Sequence, residues 1–221
     1  MKISDLVLPD FFKNHYSHFD SLSPIQQKAV QAGLLEGTSL LVCAPTASGK
    51  TLVGTMAIAK QLEQGKVIYL VPLKALGAEK YKEYRRWLDG TPYSAALSTG
   101  DNEYDGKILA QSNLLLLTTE KLDSLLRERL PWLTDVKAVI IDEIHLLNDP
   151  SRGPTLEIII TLLKMLIKPQ IIGLSATIGN PQALAAWLEA ELVQDTWRPV
   201  ELQQGIHYND KVEFYSKKEI K

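Results

Sequence analysis

The sequence contains little cysteine, with Cys43 as the single thiol among 221 residues. One thiol cannot form an internal disulfide, so a small secreted scaffold held together by disulfides is excluded. Cys43 ends the short apolar stretch 39–43, and this position predicts a small buried hydrophobic side chain. The cysteine content therefore favours a reducing compartment, and we expect a cytoplasmic protein.

The chain also lacks long hydrophobic stretches and an excess of positive charge. No apolar run approaches the roughly 18–20 residues that a membrane-spanning helix needs. Residues 1–12 lack the basic start and apolar core of a secretory signal, so we expect no membrane partner. Lys and Arg number 24 against 26 Asp and Glu, which gives a formal net charge of −2. Any nucleic-acid binding must therefore use a local basic patch.

Short apolar stretches alternate along the chain with longer helical patterns. Strands are predicted at 39–43, 67–71, 93–97, 114–118, 138–141, 170–174 and 200–203. Helices are predicted between them at 24–35, 50–64, 74–88, 120–129, 153–167 and 181–188. Strands this apolar are typical of a parallel sheet that is buried on both sides. The sequence therefore predicts an α/β fold with a mostly parallel central sheet and helices on both faces.

Residues 44–51 read APTASGKT and resemble a phosphate-binding loop with one glycine instead of two. A predicted strand precedes the loop and a predicted helix follows it, which is the context that this motif requires. Backbone N–H groups and the helix N-terminus can converge on a phosphate there. The predicted nucleotide-binding residues in the loop are Ala47, Ser48, Gly49, Lys50 and Thr51.

Two side chains of this loop have expected chemical roles. Lys50 would reach the β- and γ-phosphates as a catalytic cation, and the Thr51 hydroxyl would ligate Mg²⁺. The competing interpretation is a chance strand-turn-helix with a lysine in its first helical turn. The acidic motif described next favours the nucleotide site.

Residues 138–145 read AVIIDEIH, so two carboxylates follow a predicted central strand. Ligands of open α/β sheets bind outside the carboxyl ends of the strands. Adjacent carboxylates there are costly unless a cation shares the site. We expect Asp142 to hold Mg²⁺ and Glu143 to orient the attacking water, as catalytic residues. The alternative is a solvated helix start capped by acids.

Together, APTASGKT and DEIH resemble superfamily-2 helicases of the DExH type, in which a single-glycine loop is typical. Other segments are similar to family motifs in the same order: LSPIQQKAV at 22–30, VPLKAL at 71–76, STGD at 98–101, TTEKLDSLLR at 118–127 and SAT at 175–177. DEIHLL and RGPTLE at 152–157 resemble the Ski-like branch and, within it, archaeal DNA helicases of the Holliday-junction-migration type. The resemblance covers about residues 22–177 and implies a RecA-like P-loop NTPase domain.

The resemblance also implies roles for residues outside the two nucleotide motifs. Gln26 would read the adenine edge, although a polar residue in a first helical turn is the alternative. Phe19 is expected to be a core aromatic rather than a base-stacking residue. His145 would help couple the nucleotide site to SAT at 175–177, which matches the third family motif. Ser175 and Thr177 would share this coupling through their hydroxyls, with helix capping as a competing role.

Nucleic-acid binding is expected mainly through the sugar-phosphate backbone, with DNA favoured over RNA as the partner. Small hydroxyl residues and helix N-termini contact phosphates rather than bases, which predicts little sequence preference and marked salt sensitivity. Arg152 is a further candidate, with a surface salt bridge as the alternative. The predicted contacts are Pro72, Leu73, Lys74, Thr99, Gly100, Asp101, Thr118, Thr119 and Arg152.

The family works with two RecA-like domains, and the sequence motifs here belong to the first. We expect residues 1–204 to form this ATP-binding domain and 205–221 to be a polar tail or linker toward a missing second motor domain. ATP and Mg²⁺ are the expected cofactors of an ATP-dependent DNA helicase with weak turnover in this chain alone. An RNA-directed Ski-like motor and a nucleotide-switched binding module without turnover remain alternatives.

Overall fold

A parallel sheet of seven strands forms the centre of the protein. The computed structural model describes residues 1–100, 105–201, 203, 205–208 and 211–214. The sheet strands are β1 (Leu40–Cys43), β2 (Lys66–Val71), β3 (Ala95–Ser98), β4 (Leu114–Thr118), β5 (Val136–Ile141), β6 (Gln170–Ser175) and β7 (Glu191–Gln194). They lie in the order β3-β4-β2-β5-β6-β1-β7, and every neighbouring pair is parallel.

Helices cover both faces of this sheet, as the apolar strands predict. They are α1 (Asp10–His15), α2 (Pro24–Gln31), α3 (Lys50–Gln61), α4 (Lys74–Trp87), α5 (Asp105–Gln111), α6 (Thr119–Glu128), α7 (Gly153–Leu166) and α8 (Pro181–Leu188). Short 3₁₀ turns lie at Ile3–Asp5, Pro131–Asp135 and Ile144–Asn148.

Successive residues of each strand pack into different hydrophobic clusters, because side chains alternate across a sheet. Leu40 and Val42 of β1 join a cluster with α2, α3 and α4. Leu41 and Cys43 join a second cluster with α6, α7 and α8. Burial on both faces explains why the strand sequences are apolar throughout rather than alternating.

The seventh strand lies elsewhere than the sequence pattern predicts. Residues 200, 201 and 203 are outside any strand, and β7 instead pairs with β1 at the sheet edge. Only Val193 of this strand is buried, so β7 lacks the apolar run that marks the others. The weak signal reflects an edge strand with one solvated side.

Other differences concern element ends and short elements. The helix predicted at 24–35 ends at Gln31, because Gly33 and Gly37 then adopt positive φ angles of 89° and 93°. Helices α1 and α5 were not predicted. Within the segment predicted as a polar tail, β8 (Gly205–Tyr208) and β9 (Lys211–Phe214) pair as an antiparallel hairpin.

Among the helices of the described residues, none has both the length and the apolar character that a bilayer crossing requires.

The parallel arrangement brings the sequence motifs to one edge of the sheet. The phosphate loop follows β1, the acidic pair follows β5, and Ser175 ends β6. β2, β3 and β4 end at the same edge, so the segments that follow them begin there, but on the other side of β5. The sheet order therefore divides this edge into a half around β1 and a half around β4.

Candidate nucleotide site and nucleic-acid groove

The phosphate loop combines one essential glycine with an unusual alanine conformation. Gly49 has a φ of 95° and Ala47 a φ of 65°, which is uncommon for a residue with a side chain. A Cβ at Gly49 would collide with the side-chain amide of Gln26. A single glycine thus suffices here, because the second left-handed position is occupied by the smallest residue that has a Cβ.

The Lys50 ammonium lies within the loop rather than in solvent. Its Nζ donates hydrogen bonds to the carbonyl oxygens of Ala44 at 2.6 Å and Pro45 at 2.8 Å. Burial lowers the pKa of Lys50, while the charges of Glu143 and Asp142 raise it. A bound phosphate would therefore compete with carbonyl groups of the loop for the same cation.

The acidic pair is held by backbone and by a buried tyrosine. The Tyr69 hydroxyl donates to Asp142 Oδ2 at 2.8 Å, and the Glu143 N–H donates to Asp142 Oδ1 at 3.1 Å. Glu143 has a φ of 52° and begins the short turn that carries His145. The imidazole Nδ1 of His145 lies 3.2 Å from Glu143 Oε2. The structure thus brings these two predicted residues into contact.

The third motif lies beside the phosphate loop. Ser175 is fully buried, its carbonyl accepts the Ala44 N–H at 3.2 Å, and its hydroxyl has no hydrogen-bond partner within the described part of the chain. Thr177 is exposed in the loop after β6. Helix α8 is capped by Asn180, which accepts the Ala183 N–H at 3.3 Å, so neither hydroxyl caps that helix.

A cavity of about 600 Å³ extends from the phosphate loop along α2. Gln26 lines it, yet its amide already bridges two backbone groups: Oε1 accepts the Ser23 N–H at 2.8 Å, and Nε2 donates to the Gly49 carbonyl at 3.0 Å. Phe19 also lines this cavity and is 46% exposed, so the expectation of a core aromatic is wrong.

The predicted nucleic-acid contacts meet in a second cavity of about 410 Å³, which we call the groove. Of the nine candidates, seven line it, together with Glu120 and Lys121: Pro72, Leu73, Lys74, Thr99, Gly100, Thr118 and Arg152. Thr119 instead lines a small adjoining cavity with Asp142 and Arg152. Asp101 lies outside the described residues.

Two helices begin at the groove, so their free N–H groups and positive dipole ends point toward it. Lys74 is the first residue of α4. Thr118 caps α6 by accepting the Lys121 N–H at 3.4 Å. This combination favours an anionic ligand.

Arg152 lines the groove and also forms the surface ion pair that the sequence analysis gave as the alternative. Its Nη1 donates to the Pro72 carbonyl at 3.3 Å, and its Nη2 lies 3.8 Å from Asp149 Oδ2. Hydrogen bonds from the Ser151 hydroxyl and from the Arg152 and Ser151 N–H groups lower the pKa of Asp149 to about 2. The ion pair therefore persists at neutral pH while the guanidinium still lines the groove.

Comparison with known proteins agrees with this geometry. The sequence model of the family described as DEAD/DEAH box helicase matches residues 23–184. The chain belongs to the DEAD/DEAH box helicase family. The matched region contains both nucleotide motifs, the groove residues and the third motif, which confirms the helicase resemblance that the motifs indicate.

Helicase relatives of known name share close to half of the sequence. The chain is 50% identical to the ATP-dependent DNA helicase Hel308 of Methanocaldococcus jannaschii over 87% of its length. It is 47% identical to the protein of that name from Pyrococcus abyssi over 94% of its length. The chain spans 17% and 29% of these two relatives.

A solved helicase structure also has this fold. The crystal structure of the DUF1998 helicase MrfA bound to DNA superimposes with a TM-score of 0.75 at 26% identity. The match covers 86% of this chain and 30% of MrfA. The predicted RecA-like α/β class is thus confirmed, with helices around a parallel sheet.

Several residues at or near these two cavities were not predicted from the sequence. Tyr69 and Lys121 lie within segments predicted only as a strand and as a family motif, and Trp197 lies between the predicted helix at 181–188 and the predicted strand at 200–203. Tyr69 reaches its site through a hydrogen bond to Asp142, which lies 73 residues away in the sequence. A tyrosine in an otherwise aliphatic strand was the one available signal, since a buried hydroxyl needs a partner.

Proposed function

We propose that this chain is the ATP-binding motor domain of an ATP-dependent DNA helicase, which hydrolyses ATP to ADP and phosphate when completed by a second RecA-like domain. One observation carries the proposal. The phosphate loop and the acidic pair follow strands that are separated only by β6, and the charges of Glu143 and Asp142 partly oppose the lowering of the Lys50 pKa by burial.

In this proposal the loop binds the phosphates of ATP. The N–H groups of residues 47–51 and the N-terminus of α3 donate to the β-phosphate, and Lys50 reaches the β- and γ-phosphates. Gln26 contacts the adenine edge after exchanging one of its backbone hydrogen bonds. Residues 1–204 form the domain, and the hairpin-containing segment 205–221 leads toward the second domain.

The residues near the loop suit Mg²⁺ because they offer hydroxyl and carboxylate oxygen donors, which this cation prefers. Thr51 and Asp142 would hold it, and the ion would neutralise charge on the phosphates. Glu143 orients the attacking water, and its carboxylate is 45% exposed and therefore accessible. His145, Ser175 and Thr177 transmit the state of the site, which the contact of His145 with Glu143 supports.

The groove binds the backbone of a single strand in this proposal. Its hydroxyls, helix N-termini and cations match phosphate chemistry, and it contains no base-reading array among the described residues. DNA is favoured because the named relatives are DNA helicases and MrfA was crystallised with DNA.

The single buried thiol of Cys43 is compatible with a reducing cytoplasm.

The first test is nucleotide binding and hydrolysis by the purified chain, with and without single-stranded DNA. We expect Mg²⁺-dependent ATP binding that requires Lys50, with little turnover. A Glu143→Gln variant should bind ATP normally and lose any residual turnover. If the wild type binds ATP no better than a Lys50→Ala variant, the nucleotide-site proposal is wrong.

The polynucleotide is tested separately by competition. A labelled DNA strand bound to the chain is challenged with unlabelled DNA or RNA of equal length. DNA should compete at lower concentration than RNA. The reverse order would instead favour an RNA-directed motor.

A further inference from the structure

The segment that follows β7 is fastened to the helix that carries Gln26. Lys28 Nζ lies 2.8 Å from Asp195 Oδ2 and also donates to the Gln194 carbonyl at 2.9 Å. The other carboxylate oxygen of Asp195 accepts the Trp197 N–H at 2.7 Å. We call this set of contacts the clasp. It fixes the backbone at Trp197 relative to α2.

The charge state of the clasp supports its persistence at neutral pH. The hydrogen bond from Lys28 and the Trp197 N–H lower the pKa of Asp195, so its carboxylate stays ionised. Asp195 is largely shielded, with 10% of its side chain exposed, while Lys28 is 51% exposed. The clasp is therefore a partly protected ion pair that also satisfies two backbone groups.

The clasp places Trp197 in the wall of the nucleotide cavity. Trp197 lines this cavity and is 42% exposed. Its indole contacts no other aromatic ring and no cation among the described residues. Tyr16 and Phe19 line the same cavity, with their ring centroids 6.1 Å apart and 20° between the ring planes. Three aromatic side chains thus line the same cavity.

Trp197 differs from two other tryptophans of the chain, which have packing or cation partners. Trp87 is 4% exposed in the core, and Trp187 lies against Lys164, whose Nζ is 5.9 Å from the ring centroid. An indole without such a partner in a ligand-sized cavity offers a large flat surface for a planar ligand. Aromatic rings stack on any nucleobase, because every base has a π-face.

We propose that Trp197, positioned by the clasp, packs against the base of the bound nucleotide, so that the segment after β7 forms part of the base-binding wall. This inference rests on the proposed function, because it assumes that the phosphates lie on the loop. The clasp then joins the segment that carries Trp197 to α2, the helix from which Gln26 lines the cavity. Lys28 and Asp195 are positioning residues that act through Trp197.

The decisive experiment compares a ligand that has a base with one that lacks it. Binding of Mg·ADP and of Mg·pyrophosphate is measured by calorimetry for the wild type, Trp197→Ala and the control Trp187→Ala. Since stacking on an aromatic side chain accounts for a substantial share of base affinity, Trp197→Ala should weaken ADP binding about tenfold. Pyrophosphate binding should not change, and Trp187→Ala should behave as the wild type.

The outcomes separate the two proposals. If the wild type binds neither ADP nor pyrophosphate, the proposed nucleotide function fails. If it binds both, and Trp197→Ala binds ADP as tightly as Trp187→Ala does, the inference fails while the proposed function stands. Equal weakening of both ligands would also overturn it, because that would indicate general damage to the loop.

The clasp has its own readout, the accessibility of the indole. Lys28→Ala should increase acrylamide quenching of tryptophan fluorescence and weaken ADP binding severalfold, with pyrophosphate binding unchanged. Lys28→Arg should restore both, because a guanidinium keeps the charge and the donors. Unchanged quenching and ADP affinity in Lys28→Ala would show that the clasp does not position Trp197.

Discussion

The nucleotide cavity and the groove lie at the same edge of the sheet, yet they differ in how far their polar groups are already engaged. At the phosphate loop, Lys50 donates hydrogen bonds to two carbonyls, and both the oxygen and the nitrogen of the Gln26 side-chain amide are hydrogen-bonded. In the groove, Lys74 is exposed and forms no ion pair within the described ranges, while Arg152 donates to the Pro72 carbonyl at 3.3 Å and lies 3.8 Å from Asp149.

This difference indicates two kinds of binding. A nucleotide must replace hydrogen bonds that the loop makes with itself, so its affinity depends on geometry as well as charge. A polynucleotide meets the exposed Lys74 and two helix N-termini, so its affinity should follow the release of counterions. Mutations should therefore affect the two cavities independently and with different dependence on salt.

The largest effect is expected from Lys50→Ala. Loss of a cation that contacts the phosphates should weaken Mg·ATP binding by at least about 100-fold, since truncating one partner of a buried charge pair is costly. The measurement is titration with a fluorescent ATP analogue. DNA binding should be unchanged, because Lys50 lies outside the groove.

Lys60→Ala provides the matched control for this prediction. Lys60 lies on the same helix but pairs with Glu63 near its other end, at 3.6 Å. Comparable loss of ATP affinity in both variants would contradict the role given to Lys50.

The groove is tested by the double variant Lys74→Ala with Arg152→Ala. Removing two phosphate contacts should weaken single-stranded DNA binding about tenfold at moderate salt and reduce the salt slope by roughly one to two. Fluorescence anisotropy at several salt concentrations measures both quantities. ATP binding should remain unchanged.

A control with the same charge change is Lys82→Ala with Arg85→Ala on the outer part of α4. These cations line a separate open depression with Arg86 and Asp89. If this pair weakens DNA binding as much as the groove pair does, binding follows net charge rather than the groove.

A smaller effect is expected from Tyr69→Phe, which removes the hydroxyl that orients Asp142. Burial and the nearby Tyr84 and Asp142 raise the pKa of Tyr69 well above its ordinary value, so the phenol remains a donor. The Mg²⁺ concentration needed for half-maximal ATP binding should rise about threefold to tenfold, in line with the net free energy of one ordinary hydrogen bond.

Tyr84→Phe is the control for a lost buried hydroxyl. Its hydroxyl contacts Thr55 Oγ1 at 3.2 Å rather than Asp142. An equal rise in the Mg²⁺ requirement of both variants would indicate a packing effect and refute the specific role of Tyr69.

The smallest effect concerns Cys43, the last residue of β1, which is buried directly before the phosphate loop. Burial raises its pKa to about 11, although the charge of Lys50 lowers it. The thiol should resist iodoacetamide at pH 8 in the native protein and react after unfolding, as mass spectrometry would show. Because the folded pKa is the higher one, the associated stabilisation is present below pH 9.0 and is lost as the pH rises toward 11. Rapid native labelling would contradict this burial.

The sheet was predictable where strands are buried on both faces. β4 and β6 are buried at every position, and the stretches LLLL at 114–117 and IIGL at 171–174 marked them in the sequence. β7 was not predictable in this way, because two of its residues are exposed and its position depends on pairing with β1.

The same division applies to the site. The loop and acidic pair were predictable, because each is a contiguous motif whose chemistry depends on neighbours in sequence. The clasp joins residues that are 166 to 167 positions apart, and Tyr69 reaches Asp142 across 73. No local pattern encodes such contacts, since they arise only from strand order.

Strand order also bears on when the nucleotide site can form. β1 has β6 and β7 as its neighbours, and Ser39 at its start accepts a hydrogen bond from Ile171, 132 residues later. Contacts between such distant segments form late, because closing long loops costs entropy before any pairing compensates for it. A ribosome-bound nascent chain would therefore expose the phosphate loop long before its supporting strands emerge, and ATP could first be captured only after β6 has left the exit tunnel.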